Sequence, residues 1–350
     1  MSNGLNFFTN AIQKTPATGS WQDVDVSGDG VPSGASGVIL EIRNVGANDY
    51  AFCSLRPNGS AWNPASFRLH INYWGGFAFC GLDANRVFEA YLDADQAEIW
   101  LIGYTGSDVV YLASPSSVTP GSTGSWIDVD VSGSIPSGAA GIACLILNPG
   151  ATNFVKAGVR KNGGTDEFPY SVISIGYSGQ IWQYCGLDVN RVFEAKVSST
   201  DITLYVICYF KGVVTFLENG AQSDPATATA WTDKDVTAET TASANGVLLL
   251  AKNNTQYTDV AAANVRADGS TDNRITDHAL DDGHGTAGEG PCIGMAIGLT
   301  AGQVFEYYVS SITDLDFYVI AYNDDGAVGV SIPVMMYHYA THISKKVKGG

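Results

Sequence analysis

The sequence is poor in charge, and poorest in positive charge. Only 15% of its 350 residues are charged, and 18 Lys and Arg stand against 35 Asp and Glu, which gives a net charge of −17. Proteins bind a phosphate backbone by neutralising it with Lys and Arg, so this balance argues against a nucleic-acid partner. Few Lys and Glu beside 40 Gly also make poor material for solvated helix faces. We therefore expect strands and turns.

Long apolar runs are missing as well. The most apolar segments, such as 99–103 and 246–251, are strand-sized and far below the ~18 residues of a membrane span, so no membrane partner is expected. No basic residue precedes Lys14 and no long apolar stretch lies near the N-terminus, so we expect no secretory signal. Several of the six cysteines fall at non-equivalent places in the repeat described next. We therefore expect buried thiols rather than disulfides, and synthesis in a reducing cytoplasm.

The chain repeats itself with a period of 105 residues. Segment 21–26, which reads Trp-Gln-Asp-Val-Asp-Val, returns in related form at 126–131 and at 231–236. Further landmarks follow in the same order in each copy. They are Arg56, Arg160 and Arg266 before a turn, then Phe88-Glu89, Phe193-Glu194 and Phe305-Glu306. A period of this length indicates three tandem domains rather than a solenoid.

The apolar residues inside a copy alternate with a period of two. In the first copy this pattern predicts strands near 21–26, 37–44, 49–56, 66–73, 77–82, 86–92 and 97–104. Seven or eight short strands without a helical crossover predict an all-β chain of three tandem antiparallel β-sandwich domains, jelly-roll-like in form. We place a leader at 1–14, modules at 15–113, 114–220 and 221–325, and a C-terminal strand or docking tail at 326–350.

Two recurring elements are interpreted as structural. The repeated Arg and the repeated Phe-Glu pair predict an ion pair between each Arg and an acidic neighbour, with a contact to a partner subunit as the alternative. The three Phe residues are expected in the core. The Trp-x-Asp-x-Asp strand places Trp and both Asp on one face. A catalytic carboxylate pair would need a further partner that the repeat does not supply, so a solvated strand face is the preferred interpretation.

Aromatic residues in irregular stretches are candidates for ligand binding. Trp62, Trp74 and Trp182 lie beside Gly in such stretches. An aromatic face stacks on sugar rings when it is exposed, but sandwiches also bury aromatics at their ends and in interfaces. A glycan and a protein partner therefore both remain open for these residues.

The third copy carries a loop rich in metal-ligand side chains. The candidates are Asp277, His278, Asp281, Asp282 and His284. Their spacing matches neither an EF-hand loop nor a zincin helix, so a solvated polar loop is preferred over a divalent-ion site. No other motif for a nucleophile, a phosphate or a metal is found, and no His recurs in the repeat. We expect a non-enzymatic protein with no catalytic residues and no cofactor.

The C-terminal segment differs from the rest in charge. Residues 326–350 hold a net charge of +3, whereas residues 1–325 hold −20. Tyr337, Lys345, Lys346 and Lys348 are the candidates for docking against an acidic neighbour. A frayed terminus is the alternative.

Each module resembles the β-sandwich modules of tailed-bacteriophage structural proteins. The resemblance rests on the Trp-x-Asp-x-Asp-Val strand, the Pro-Ser-Gly-Ala turn, the Arg-x-Asn-Gly hairpin and the Gly-Leu-Asp-x-Asn-Arg-Val-Phe-Glu segments at 81–89 and 186–194. The third module departs most, with Gly-Leu-Thr-Ala-Gly-Gln at 298–303. The resemblance covers residues 15–325.

The resemblance implies a virion structural protein that decorates a capsid or belongs to a head fibre or tail. It further implies assembly in the host cytoplasm, exposure on the particle exterior, and contacts with other virion proteins or copies of itself. The alternative is a glycan-binding adhesin that uses the loop aromatics on a host surface. Three modules in one chain would also imitate a trimer on a threefold site, unless they pack as an extended rod.

Overall fold

The computed structural model describes residues 3–46, 50–63, 67–69, 75–152, 154–173, 179–254, 261–274, 278–280 and 291–324. These residues form strands, turns and loops and contain no helix. None of the described segments is therefore a helix that could cross a membrane.

The strands fall into three sets of eight. Module 1 contains β1 (Leu5–Gln13), β2 (Gln22–Asp25), β3 (Gly37–Asn44), β4 (Ala51–Pro57), β5 (Phe67–Leu69), β6 (Gly75–Gly81), β7 (Val87–Leu92) and β8 (Ala97–Thr105). Module 2 contains β9 (Val109–Tyr111), β10 (Ile127–Asp130), β11 (Gly141–Asn148), β12 (Val155–Lys161), β13 (Ser171–Ile173), β14 (Gly179–Gly186), β15 (Val192–Val197) and β16 (Thr203–Phe210). Module 3 contains β17 (Val214–Gln222), β18 (Thr232–Asp235), β19 (Gly246–Asn253), β20 (Ala261–Ala267), β21 (His278–Leu280), β22 (Cys292–Gly298), β23 (Val304–Val309) and β24 (Leu315–Asn323).

All three modules share one topology. In module 1 a first sheet has the order β1-β8-β3-β6 and a second sheet the order β2-β7-β4-β5, with every neighbouring pair antiparallel. Modules 2 and 3 repeat both orders strand for strand. Two four-stranded sheets in this interleaved order are a jelly roll. The prediction of three tandem antiparallel sandwiches is confirmed.

The strand pairing corrects the predicted module limits at one place in each copy. The supposed leader contains β1, which pairs with β8 as the edge strand of module 1. Likewise β9 pairs with β16 and β17 pairs with β24, so residues 109–111 and 214–220 belong to the module that follows them. The physical reason is burial: Leu5, Val109 and Val214 are fully buried and complete the sheets to which they pair. The C-terminal segment 326–350 lies outside the described residues.

The core is formed by the inward faces of the paired sheets. Phe88, Phe193 and Phe305 are at most 1% exposed, which confirms their expected place in the core. All six cysteines are buried and unpaired, as predicted, and burial raises the pKa of each thiol. One hydrophobic cluster runs without interruption through modules 1 and 3 and onto part of module 2. The modules are thus joined by buried surface and not only by the chain.

Candidate assembly interface: the junctions between modules

The three modules meet around a common centre. The strand at one edge of each first sheet, β6, β14 and β22, contacts its two counterparts in the other modules. Phe79 of β6 packs edge-on against Tyr184 of β14, with ring centroids 5.6 Å apart. On the second side a Cβ added at Gly294 of β22 would lie 3.0 Å from the Tyr184 ring. On the third side a Cβ added at Gly76 of β6 would lie 3.8 Å from Ile293 of β22. The arrangement is a closed ring with approximate threefold symmetry, not a rod.

An aromatic side chain on the first strand of each module inserts into a neighbouring module. It covers two glycines that pair with each other where the receiving module's first sheet begins. These contacts are Phe7 on Gly246 and Gly298, Tyr111 on Gly37 and Gly81, and Phe216 on Gly141 and Gly186. Glycine is required because a side chain would occupy the ring's place: a Cβ at Gly298 would lie 2.7 Å from Cβ of Phe7. Module 1 thus enters module 3, module 3 enters module 2, and module 2 enters module 1.

A second ring contact follows the same direction around the centre. Equivalent aromatics on the last strand of each module meet the loop after β4, β12 or β20 of the neighbour. The pairs are Tyr318 stacked on Phe168 at 3.8 Å, Tyr205 against Trp62 at 5.9 Å, and Trp100 beneath the Arg274 guanidinium at 5.2 Å. The position of the aromatic on the last strand is the same in all three junctions, but the residue that it contacts in the neighbouring module differs in chemistry.

Two of the junctions also contain a pair of hydrogen bonds, here called the lock. In each lock a backbone N–H of one module donates to an Asp of the other, and a backbone N–H of the other donates to an Asn. In the junction of modules 1 and 3, the backbone N–H of Ala11 donates to Asp272 at 2.6 Å, and the N–H of Thr271 donates to Asn10 at 3.0 Å. In the junction of modules 3 and 2, Gly220 donates to Asp166 at 2.6 Å and Thr165 donates to Asn219 at 2.7 Å. Burial raises the pKa of Asp166 even though the Gly220 N–H opposes the shift.

The junction of modules 2 and 1 replaces the bond from N–H to carboxylate by apolar contact, although the Ser60 hydroxyl still donates to the backbone carbonyl of Ala113 at 3.0 Å. Pro115 stands where the other modules have Ala11 and Gly220, and proline has no N–H to donate. A carboxylate at the facing position would lose its partner, and Trp62 occupies that position instead, packed on Tyr205. A small pocket, partly open to solvent, lies beside Trp62 and Pro115.

Each junction loop is anchored by a ladder of three side chains on its own module. Arg56 makes two hydrogen bonds to Glu89, at 2.8 and 3.0 Å, and its guanidinium lies 4.0 Å from the centre of the Trp21 ring. The equivalent ladders are Trp126, Arg160 and Glu194 in module 2 and Trp231, Arg266 and Glu306 in module 3. The predicted Arg ion pairs are confirmed.

The arginine of the ladder also binds the Asp residue of the lock. The guanidinium of Arg266 donates to the backbone carbonyl of Asp272, and that of Arg160 donates to the carbonyl of Asp166. These are the two residues whose carboxylates receive the neighbouring module's N–H. The ladder therefore orients the loop that makes the junction.

Asp23 and Asp25, on the edge strand β2, are exposed, as expected for a solvated strand face.

The two aromatic binding candidates that the structure describes, Trp62 and Trp182, do not form an exposed platform. Trp182 is 5% exposed and its carbonyl faces Gly294 of module 3, which corrects its prediction as a sugar-stacking residue. Trp62 is half-buried at the junction of modules 1 and 2. Trp74 lies outside the described residues. Trp62 and Trp182 therefore both contact a neighbouring module of the same chain.

The remaining candidates are only partly placed. Of the ion-binding candidates, Asp277, Asp281, Asp282 and His284 lie outside the described residues, and His278 is placed only as a residue of β21 paired with Ala263. Within the part of the chain that the structure describes, no three His, Cys, Asp or Glu side chains come together as a metal site. The docking candidates Tyr337, Lys345, Lys346 and Lys348 also lie outside it.

Sequence reasoning missed the residues that insert between modules. Phe7, Tyr111 and Phe216 follow one another at 104 and 105 residues, each two positions after an aliphatic residue. This spacing is a signal that would have revealed the first strand of each module. Nothing in the sequence indicates which module each aromatic enters.

Fold and junctions together define a protein of three fused jelly rolls closed into a ring. Neither a protein-family model nor a curated protein matches the chain. Among solved structures it is similar to one of Sulfolobus turreted icosahedral virus, with 9% identity over 89% of each chain and a TM-score of 0.23. It is also similar to one that describes a triple jelly roll fold and turret assembly in an archaeal virus, with 10% identity over 92% of this chain and 91% of the other and a TM-score of 0.22.

TM-scores this low do not establish a shared fold. The strand order of the paired sheets identifies the three jelly rolls. Both neighbours are described in terms of viruses other than tailed bacteriophages, so the resemblance to phage modules stays a prediction.

Proposed function

We propose that the chain is a structural component of a virus particle, in which three fused jelly-roll modules occupy a position of threefold symmetry. The observation that carries the proposal is the closed ring, in which each module inserts an equivalent aromatic residue into its neighbour. Jelly rolls build viral capsids but also lectins and cupins, so the fold alone does not select a function. A ring of three equivalent units suits a partner surface that itself has threefold symmetry.

Within this proposal, ring closure favours a capsid-decorating role over a fibre. Modules of a fibre repeat along one direction, so the first and the last do not meet. In this chain the N–H of Leu5 at the start of module 1 donates to Asn323 at the end of module 3, at 2.9 Å. The proposed partners are other virion proteins or further copies of the chain, and the proposed place is the particle exterior.

The free sheet edges favour contacts through side chains. The edge strands of the second sheets are three or four residues long, as in Gln22–Asp25 and Phe67–Leu69. Short edges of this kind resist uncontrolled strand addition. The longer edge strands β1 and β6 are covered by the neighbouring modules. We therefore expect partners to dock on the outer faces and loops of the ring rather than to extend a sheet.

The test is quantitative mass spectrometry and cryo-electron microscopy of particles purified from the source culture. The proposal predicts this chain at a high, fixed copy number and a three-lobed density on threefold positions. A chain present in the culture but absent from every particle fraction would reject the proposal. A linear row of modules in a fibre would keep the virion role and reject the threefold position.

A further inference from the structure

Among the described residues, the junction of modules 1 and 3 is the only one that no chain connection crosses. Residues 106–108 link β8 to β9, and residues 211–213 link β16 to β17. No such segment joins β24 to β1, because β1 is the first and β24 the last of the described strands. This junction can therefore separate without stretching the backbone, whereas the other two cannot.

This junction also contains a buried ion pair that has no counterpart among the described residues of the other two. Glu41 of β3 is fully buried and pairs with Arg274, whose side chain is 10% exposed. The amide of Asn264 donates to the other Glu41 oxygen at 3.3 Å, and Asp272 lies 3.2 Å from Arg274. Glu41 thus belongs to module 1, whereas Arg274, Asn264 and Asp272 belong to module 3.

The equivalent positions elsewhere are apolar. Leu145 and Leu250 replace Glu41 at the same register in β11 and β19, each opposite an aromatic of the last strand as Glu41 is opposite Trp100. Phe168 stands where module 3 has Arg274, eight residues after the ladder arginine. The fold therefore does not need a charge at either place, and the pair calls for a separate explanation.

A charged pair gives an interface that can open and close again selectively. When the junction opens, water solvates Glu41 and Arg274. Leucine and phenylalanine at these positions would instead form an exposed apolar patch that favours aggregation. When it closes, either charge buried against a wrong surface is strongly unfavourable, because breaking a buried pair costs far more than a complete pair gains.

We propose that the junction of modules 1 and 3 is a reversible interface whose other occupant is a second copy of this chain. The two faces belong to opposite ends of the chain and differ from each other, so they form a heterologous contact. Such a contact closes within one chain or between chains. Closure within a chain dominates in dilute solution because the faces are tethered, and exchange between copies grows as copies are crowded together. The Glu41–Arg274 ion pair, here called the clasp, makes these two faces bind each other selectively, both within one chain and between chains.

Complementary charge exchange tests the proposal with the full chain. E41R and R274E each place like charges in the clasp, so neither variant should close on itself, and amide exchange in β1 should accelerate by about tenfold or more. In an equimolar mixture, the altered face of each variant meets the complementary face of the other. Native mass spectrometry should then show a one-to-one heterodimer, which neither variant forms alone. The matched control E41R/R274E restores opposite charges within one chain and should return to a monomer with slow β1 exchange.

Two results would overturn the proposal. One is a mixture that remains two separate monomers although both variants have fast β1 exchange, because then the released faces do not pair between copies. The other is either single variant retaining wild-type β1 exchange, because then the clasp does not hold the junction. If E41R does not yield folded protein, E41K introduces the same charge on a more flexible side chain and is mixed with R274E in the same way.

Discussion

The contact between Phe7 and Gly246 gives the most specific prediction. These two residues are 239 positions apart in sequence, and a side chain at position 246 would overlap the Phe7 ring. Phe7 is 3% exposed, and a Cβ added at Gly246 would collide with the Cε2 edge of its ring. We expect Phe7→Ala to lower the free energy of unfolding by about 3–5 kcal/mol through lost burial and the cavity left behind. Gly246→Ala should cost about 1–3 kcal/mol because the added methyl overpacks the junction.

The two changes should not be additive. In the Phe7→Ala background the methyl at position 246 enters the space left by the ring, so its cost should disappear and the coupling energy should equal about 1–3 kcal/mol. Urea denaturation followed by tryptophan fluorescence, together with amide exchange in β1, measures the cycle. Gly133→Ala is the matched control, because nothing lies within 4 Å of a Cβ added there, and it should change stability by less than about 0.5 kcal/mol. If Gly246→Ala costs the same in both backgrounds, the ring does not close through Phe7.

Three further predictions concern polar groups. Asp272→Ala removes the acceptor of the Ala11 N–H and should cost about 1–3 kcal/mol in urea denaturation; Asp272→Asn keeps an acceptor, and an equal loss in both variants would contradict the lock. Arg266→Lys cannot reproduce the two hydrogen bonds to Glu306 and should cost about 1–2 kcal/mol by the same assay; unchanged stability would show that the ladder is dispensable. Burial alone raises the pKa of Asp83, but the hydrogen bonds it accepts outweigh this effect and hold the pKa below its ordinary value. Its contribution is therefore present above about pH 4 and lost as pH falls through the lowered value, so the stability gap between wild type and Asp83→Asn should narrow on acidification, and a gap that widens would reverse the argument.

Much of the fold could be predicted because it repeats. Alternating apolar residues mark β3, predicted at 37–44 and observed over the same residues. The Arg56–Glu89 pair was also predictable, because both members recur in step with the 105-residue period. A local pattern and a period suffice for contacts that form inside one module.

The first strand of each module escaped prediction for a physical reason. Its apolar side chains contact two different modules: Leu5 completes its own module, whereas Phe7 enters module 3. Its alternation is therefore short and easily taken for a leader. The junctions were beyond sequence reasoning because they depend on how whole modules pack. Trp182 shows this clearly, since an aromatic beside glycine suggests an exposed platform until the module that covers it is known.

The clasp illustrates the same limit. Arg274 stands out in sequence as part of a charged loop, and Glu41 as an acid inside an apolar strand, but 232 residues separate them. Only the closed ring brings the two together. A charge at a position that is apolar in the other copies is a signal of special use, although it does not name the partner.

Closure of the ring requires β1 to lie against module 3, and chemical cross-linking measures this proximity. Asn10→Cys combined with Thr271→Cys places two thiols across the unlinked junction, where Asn10 accepts the Thr271 N–H at 3.0 Å. The matched pair is Asn10→Cys with Thr165→Cys, because Thr165 holds the equivalent place in module 2. The buried native thiols, whose pKa values are raised, react slowly by comparison. In dilute solution a short bismaleimide should join the first pair within one chain and leave the second unjoined. Joining of both pairs, or of neither, would contradict a ring that closes between modules 1 and 3.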